Sequence, residues 1–236
     1  MSSFKPKTLC VAILAAFVMT GCSSLPEHQY SDPYERWNRK VYNFNDGVDR
    51  TIVKPVSQVY VAVTPDPLEK GVSNFYDNLF YPTVALNQFL QGKFGDGFRD
   101  VTRFTLNTTL GVVGIFDVAT AAGLPPTQED FGQTFAAWGV GSGPYLVVPL
   151  MGGMTLRDGI GRAASMPVNP AFYIEDAEAR FGLGIGGAID TSAQLLEARD
   201  LVKGDAYLFV RDTYMQRRAF LISDGASQEE DPFLVE

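Results

Sequence analysis

Cys22 closes the run Val18-Met19-Thr20-Gly21-Cys22, directly after an apolar stretch, Leu9 to Met19, that Lys5 and Lys7 precede. The stretch is about half as long as a spanning helix, and a positive flank, a short apolar run and small residues before a cysteine make a bacterial lipoprotein signal. The chemistry it points to is acylation. Cleavage ahead of Cys22 leaves it as the N-terminus, with acyl chains on its sulfur and amine. Each buried methylene contributes about 0.8 kcal/mol, so several chains together anchor far more firmly than one. An ordinary secretory signal ending near a cysteine is the competing reading, and position, small flanks and stretch length favour acylation. Ser23 stands where aspartate would retain a lipoprotein at the inner membrane, which favours export to the outer membrane.

Little else in the chain is equipped for chemistry. Cys10 lies in the removed segment and Cys22 carries lipid, leaving no thiol for a disulfide, metal or nucleophile. The single histidine, His28, sits in a polar tether beside the anchor, whereas Ser-His and Cys-His catalysis need a histidine placed in a site. The sequence therefore predicts no catalytic residue, no metal site and no cofactor. Asp96 with Asp100, and Glu129 with Asp130, read as solvated surface or helix caps, since no acid, base or ligand set accompanies them. Gly182-Leu183-Gly184-Ile185-Gly186-Gly187 has the spacing G-x-G-x-x-G, but a dinucleotide site needs a strand before it, and Glu175 to Arg180 is polar and helical. Those glycines read instead as places where helices or acyl chains approach closely. Gly141-Ser142-Gly143 is not a nucleophile elbow.

Charge and composition narrow the partners. Of 19 Lys and Arg, Lys5 and Lys7 leave with the signal, so 17 face 27 Asp and Glu, a mature net charge of −10. That balance argues against nucleic-acid binding and against electrostatic adhesion to anionic lipid. Charged residues are 19% against 12% aromatic, a composition that leaves apolar surface facing something other than water.

The elements that must position any site are helical. Asp32-Pro33-Tyr34-Glu35 predicts a helix start, with Asp32 as N-cap, Pro33 at the first position and Glu35 reaching back. Trp37, Val41, Phe44, Val48 and Ile52 then form one helical stripe. Asp66-Pro67-Leu68-Glu69 predicts a second start, with Leu68, Val72, Phe75 and Leu79 on one face. A third helix is expected from Pro82 to Gln91, stopped by Gly92, and a fourth after Gly95 with Phe98, Val101 and Thr105 inward. Later helices are expected at 155–165, 170–181, 188–201 and 205–223. The one strand candidate, Pro144 to Pro149, is short and isolated, too little to make a sheet. Two stretches are unlike soluble helix-bundle sequence. Residues 108–126 are apolar nearly all round and interrupted by Asp117; residues 138–154 are apolar and glycine-rich. Neither spans a bilayer alone, and together they point to a surface or channel in contact with lipid.

The sequence resembles the MlaA (VacJ) family of outer-membrane lipoproteins. The likeness begins at Asp32-Pro33-Tyr34-Glu35 and runs through Asn38-Arg39, Tyr42-Asn43-Phe44-Asn45, Ser73-Asn74-Phe75, Asn78-Leu79, Asn87 and Leu90-Gln91-Gly92. It continues at Thr102-Arg103-Phe104, Leu106-Asn107-Thr108, Leu110-Gly111, Phe116-Asp117-Val118-Ala119 and Phe131-Gly132-Gln133-Thr134. It ends with Gly139-Val140-Gly141-Ser142-Gly143-Pro144-Tyr145 and Leu156-Arg157-Asp158. The chain departs from the stricter pattern at Phe135-Ala136-Ala137, where glycine often follows the Gln-Thr pair.

The resemblance implies an all-α, ring-like arrangement of amphipathic helices lying in the outer membrane, with glycine-rich loops and little or no sheet. It implies segments at 1–21 (lipoprotein signal), 22–31 (lipid-anchored tether), 32–225 (helical domain) and 226–236 (acidic mobile tail). It further implies a non-enzymatic component of an intermembrane phospholipid transport system. Such a component sits beside a trimeric porin, withdraws misplaced phospholipid from the outer leaflet and hands it to a periplasmic lipid-carrier protein. A lipoprotein that only stabilises porins is the alternative. Asn38, Asn43 and Asn45 either face a lipid passage or bond to backbone. Asp117 within an apolar stretch needs a partner or water. Arg103 and Arg157 are candidates to pair with it or with phosphate. Phe44 and the 108–126 segment are expected to control access to the passage.

Overall fold

The computed structural model describes residues 32–196, 198–202 and 204–225. Cys22, the signal, the tether with His28 and the acidic tail lie outside the described residues.

Helix α1 (Glu35–Val48) runs through a π-helical turn (Asp49–Val53) straight into α2 (Lys54–Val63). A π turn inserts one extra residue and rotates everything after it, so Ile52 leaves the stripe that the sequence continued through it. The expected cap is absent. Tyr34 occupies the N-cap position without a side-chain bond, because the Asp32 carboxylate instead accepts from Asn38 Nδ2 at 2.9 Å and from the Tyr207 hydroxyl.

Helix α3 (Asp66–Leu90) is one element where two were expected. Pro82 removes an N–H from its ladder without ending it. Residues on both sides of the proline are buried, Asn78, Tyr81, Ala85, Asn87 and Gln88, and α3 packs along α4 (Phe94–Thr109) over its length. A short α5 (Val118–Ala121) is capped by Asp117, and α6 (Phe131–Ala137) by Asp130. The isolated strand candidate finds a partner: β1 (Tyr145–Val148) pairs antiparallel with β2 (Gly152–Thr155), Tyr145 opposite Thr155 and Val148 opposite Gly152. Helix α7 (Leu156–Ser165) follows, capped by Thr155, and crosses α6 so closely that a Cβ on Gly161 would lie 2.6 Å from the Gly132 nitrogen. The glycines of 182–187 sit inside α8 (Ala177–Gln194) instead of separating two helices. The break expected there falls earlier, between a 3₁₀ turn (Pro170–Tyr173) and the Asp176 cap. Helix α9 (Ala206–Ile222) closes the fold.

The molecule is mostly helical, with one small sheet. Its burial is inverted relative to a water-soluble bundle. Among the described residues nine apolar side chains are buried against seventeen polar or charged ones, and 33 large apolar side chains are exposed. The largest fully buried side chains, Asn38, Asn87, Thr134, Thr155, Asp100 and Ser57, are all polar. In α4 the faces are reversed from the expected order: Gly97, Asp100, Arg103 and Asn107 point inward, while Phe98 is 66% and Val101 42% exposed. In α1, Asn38 and Val41 are buried, while Trp37 and Phe44, like Ile52 in the π turn, are more than half exposed. The apolar core is a small cluster of Val41, Tyr145, Val147 and Tyr207, where α1, β1 and α9 meet. Among the described residues no helix is long and apolar enough to cross a membrane.

Candidate functional site

Two cavities lie between the helices and meet on α3. The larger, 1210 Å³, is lined mainly by apolar groups, including Val53, Phe80, Leu150, Met151, Phe172 and Leu195. The smaller, 670 Å³, is lined mostly by residues with polar side chains, including Asn74, Asn107, Gln128, Arg162 and Arg217. Asp77 and Phe80, about one helical turn apart on α3, line both. An apolar chamber joined to a polar one has the dimensions and chemistry for an amphiphile: cavities of 300–1,000 Å³ accommodate drug-sized ligands.

The apolar chamber has a wall made by the β1–β2 turn. Leu150 holds a left-handed backbone at φ 62° and is 72% exposed, with Met151 beside it at 53%. The turn is fixed from α1: Asn45 Nδ2 donates to Val148 O at 3.0 Å and Asn45 Oδ1 accepts from Leu150 N at 2.8 Å. On the opposite wall Tyr76 donates to Leu183 O at 3.0 Å, with Gly186 and Gly187 against its ring. A Cβ on Gly186 would lie 2.3 Å from the Tyr76 hydroxyl. Those glycines are therefore contacts between helices, with no strand leading into them.

Buried networks frame the polar chamber. Arg103 donates to Asp117 Oδ2 at 2.8 Å and to the Leu124 carbonyl, and Asn107 donates to Asp117 Oδ1 at 3.0 Å. Burial alone would raise the Asp117 carboxyl's pKa; Arg103, Thr120 and Asn107 together hold it well below the usual carboxylate range. Arg218 clamps Asp130 through two bonds, of 2.6 and 3.0 Å, and reaches Asp158 at 2.9 Å. Asp130 likewise sits below its ordinary value, Arg218 outweighing desolvation. Tyr214 donates to Asp158, and burial with that bond pushes its hydroxyl up to about 12. Asp100, expected at the surface, is fully buried and accepts from Tyr81, Gln88 and Thr127 at 3.2, 3.2 and 2.7 Å. Among the described residues no group of acidic, histidine or cysteine side chains is arranged for a metal ion.

The residues singled out by sequence fall in three places. Asn45, Arg103 and Asp117 line the cavities. Asn38 is fully buried away from both, donating to Tyr145 O at 3.0 Å and accepting from Val147 N at 2.8 Å. Arg157 is buried beside Asp158, 3.4 Å away, and donates to Val140 O; Asp117 takes Arg103 as its partner. Asn43 and Phe44 lie on the exposed outer side of α1 and line neither cavity. Sequence reasoning missed Asp77, Arg162, Arg180 and Tyr214. A carboxylate within Phe75-Tyr76-Asp77-Asn78 reads as the polar side of an amphipathic helix, and only the tertiary arrangement shows that a cavity lies there.

A family model described as MlaA lipoprotein matches residues 30–221. The Escherichia coli K12 protein named intermembrane phospholipid transport system lipoprotein MlaA is 39% identical over 230 residues, covering 92% of this chain and 89% of that one. A protein of the same name from Haemophilus influenzae is 28% identical over 232 residues, 94% of this chain and 92% of that one. A chain solved in work on the structural basis for maintenance of bacterial outer membrane lipid asymmetry superposes with a TM-score of 0.73 at 37% identity, covering 81% of this chain and 99% of that one.

Proposed function

The chain belongs to the MlaA lipoprotein family, and on that basis we propose that it withdraws misplaced phospholipid from the outer leaflet of the outer membrane and so maintains lipid asymmetry. It is a component of a phospholipid transport system and acts at a membrane. In this reading Cys22 is acylated, residues 22–31 tether the helical domain, and a trimeric porin holds the body in the outer membrane. A periplasmic lipid-carrier protein receives the lipid. No covalent bond changes.

The observation that carries the reading is the pairing of an inverted exterior with a two-part interior. Exposed Trp37, Phe44, Phe98 and Phe116 lack an aqueous rationale, since large exposed apolar surface marks contact with lipid or protein. A phospholipid is itself divided, and the apolar chamber fits its acyl chains as the polar chamber fits its headgroup. Lipid is then moved by shape and polarity.

The test is to delete the gene and measure outer-leaflet phospholipid, then restore the wild-type chain or a Leu150→Asp variant that places charge in the apolar chamber. Wild type restores asymmetry and the variant does not. Outer-leaflet phospholipid unchanged by deletion overturns the reading. Restoration by the variant at normal porin levels favours a protein that only stabilises porins.

A further inference from the structure

The carboxylates lining the two cavities are almost all bonded to a neighbouring side chain, and the exception stands out. Asp49 pairs with Arg199 at 2.6 Å, Asp117 with Arg103 and Asp130 with Arg218. Glu129 pairs with Lys93 at 2.9 Å, and Asp190 accepts from Ser73 at 2.7 Å and Gln194 at 2.9 Å. Asp77 has no hydrogen bond or ion pair among the described residues, and it stands where the cavities join. Three arginines are also without a carboxylate partner among the described residues: Arg180 on the apolar chamber, and Arg162 and Arg217 on the polar one, where Arg217 donates to the Gln128 side chain at 2.9 Å.

Asp77, Arg162 and Arg217 are exposed side chains, so water satisfies them and a headgroup in the polar chamber replaces that water with charge-assisted bonds. Asp77 is open to the cavity while the surrounding protein crowds it, so its carboxyl pKa is raised, first by desolvation and then by Asp190. One negative and two positive side chains on the polar chamber, Asp77 with Arg162 and Arg217, complement a ligand that carries both a cation and an anion.

We propose that Asp77 is a headgroup-selecting residue. It accepts hydrogen bonds from the ammonium of an aminophospholipid, while Arg162 and Arg217, which line the same polar chamber, take the phosphate common to all phosphoglycerides. This rests on the transport reading and adds the class of lipid preferred: zwitterionic with a primary amine, over an anionic glycerol headgroup. The ammonium offers three donors to the carboxylate; a glycerol headgroup leaves the phosphate charge unbalanced beside it.

The experiment uses the full mature lipoprotein, purified in detergent and loaded from micelles holding equal phosphatidylethanolamine and phosphatidylglycerol. Retained lipid is identified by mass spectrometry. Wild type is expected to retain the ethanolamine lipid at about fivefold enrichment, the scale of one charge-assisted hydrogen bond in a wet cavity. Asp77→Asn should bring the ratio to about one with total lipid unchanged, and Asp77→Lys should reverse it. Asp77→Glu keeps the charge and should keep the preference. Arg217→Ala should lower total lipid without moving the ratio. A wild-type ratio equal to the supplied one, or an unaltered ratio in Asp77→Asn, overturns headgroup selection and leaves transport standing. If wild type retains no lipid of either kind, the transport reading falls and this proposal with it.

Discussion

Asn38 and Asn45, two helical turns apart on one face of α1, dock the helix onto the free edge of β1 and onto the turn that follows it. Asn38 bonds Tyr145 O and Val147 N; Asn45 bonds Val148 O and Leu150 N. A carboxamide carries the same donor and acceptor as a peptide group. Seven residues of α-helix rise about 10.5 Å, and three extended residues span about 10 Å, so one amide reaches the strand while the other reaches its turn. The helix thereby covers an edge that would otherwise offer unpaired groups.

Asn38→Ala should therefore destabilise the fold by about 3 kcal/mol, since two backbone groups lose their partner at a buried site. Asn45→Ala, at a partly exposed position, should cost about 1 kcal/mol. Denaturant unfolding in detergent of both single variants checks the order. Equal, negligible losses would show that the clamp carries no stability.

Arg103→Met should cost about 3 kcal/mol, because removing one partner of a buried pair leaves the other charge uncompensated. Asp117→Asn should cost less, as Asn107 and Thr120 can still bond the amide. Thermal unfolding of the two variants distinguishes them. The bonds of Asp117 to Arg103, Asn107 and Thr120 predict that substituting it changes stability as well as access to the passage.

Acid should loosen the fold. Asp117 and Asp130 are held below the ordinary carboxyl value of 3.8, so their stabilisation is complete above that value and is lost as pH falls through their lowered pKa values. Asp77, whose pKa is raised, acts with the opposite sign. The melting temperature is expected to hold steady from neutrality to about pH 5 and to drop below about pH 4. Asp117→Asn should flatten that drop, as a pH series of melts would reveal.

Phe44→Asp should leave the fold intact, because the ring lies on the exposed side of α1, where substitutions typically change stability by about 0.5 kcal/mol or less. It should weaken seating in the membrane or against a partner, read as increased release of the protein from outer membranes by mild detergent. Unchanged release would remove Phe44 from the contact surface.

Much of the helix pattern was legible in the sequence, and its orientation was not. The period of Trp37, Val41, Phe44 and Val48 identifies α1, yet periodicity reports only that one face differs from the other. Which face turns inward depends on the surrounding solvent, and Trp37 and Phe44 turn outward while Val41 is buried. Pro82 hid the continuity of α3 because burial of Asn78 and Asn87 against neighbouring elements outweighs a local breaker. β1 was visible only as a run without a partner, since Gly152–Thr155 has little strand character of its own. Of the site residues, Asp117 announced itself as a charge in an apolar stretch and had Arg103 in view. Asp77 had no such signal, because being unpaired is a property of the folded neighbourhood.

The outward placement of apolar side chains also shapes the thermodynamics of the molecule. A water-soluble domain uncovers apolar area when it melts, which gives a heat-capacity increment of about 12–15 cal/mol/K per residue and a strongly curved stability profile. Here Trp37, Phe98, Leu110 and Phe181 are already uncovered in the native state, so melting in a micelle releases little hidden hydrocarbon. The increment per residue should be smaller, and the free energy of the native state should vary more gently with temperature. Cooling would then do little to loosen a chain whose interior is held by amides, guanidiniums and carboxylates.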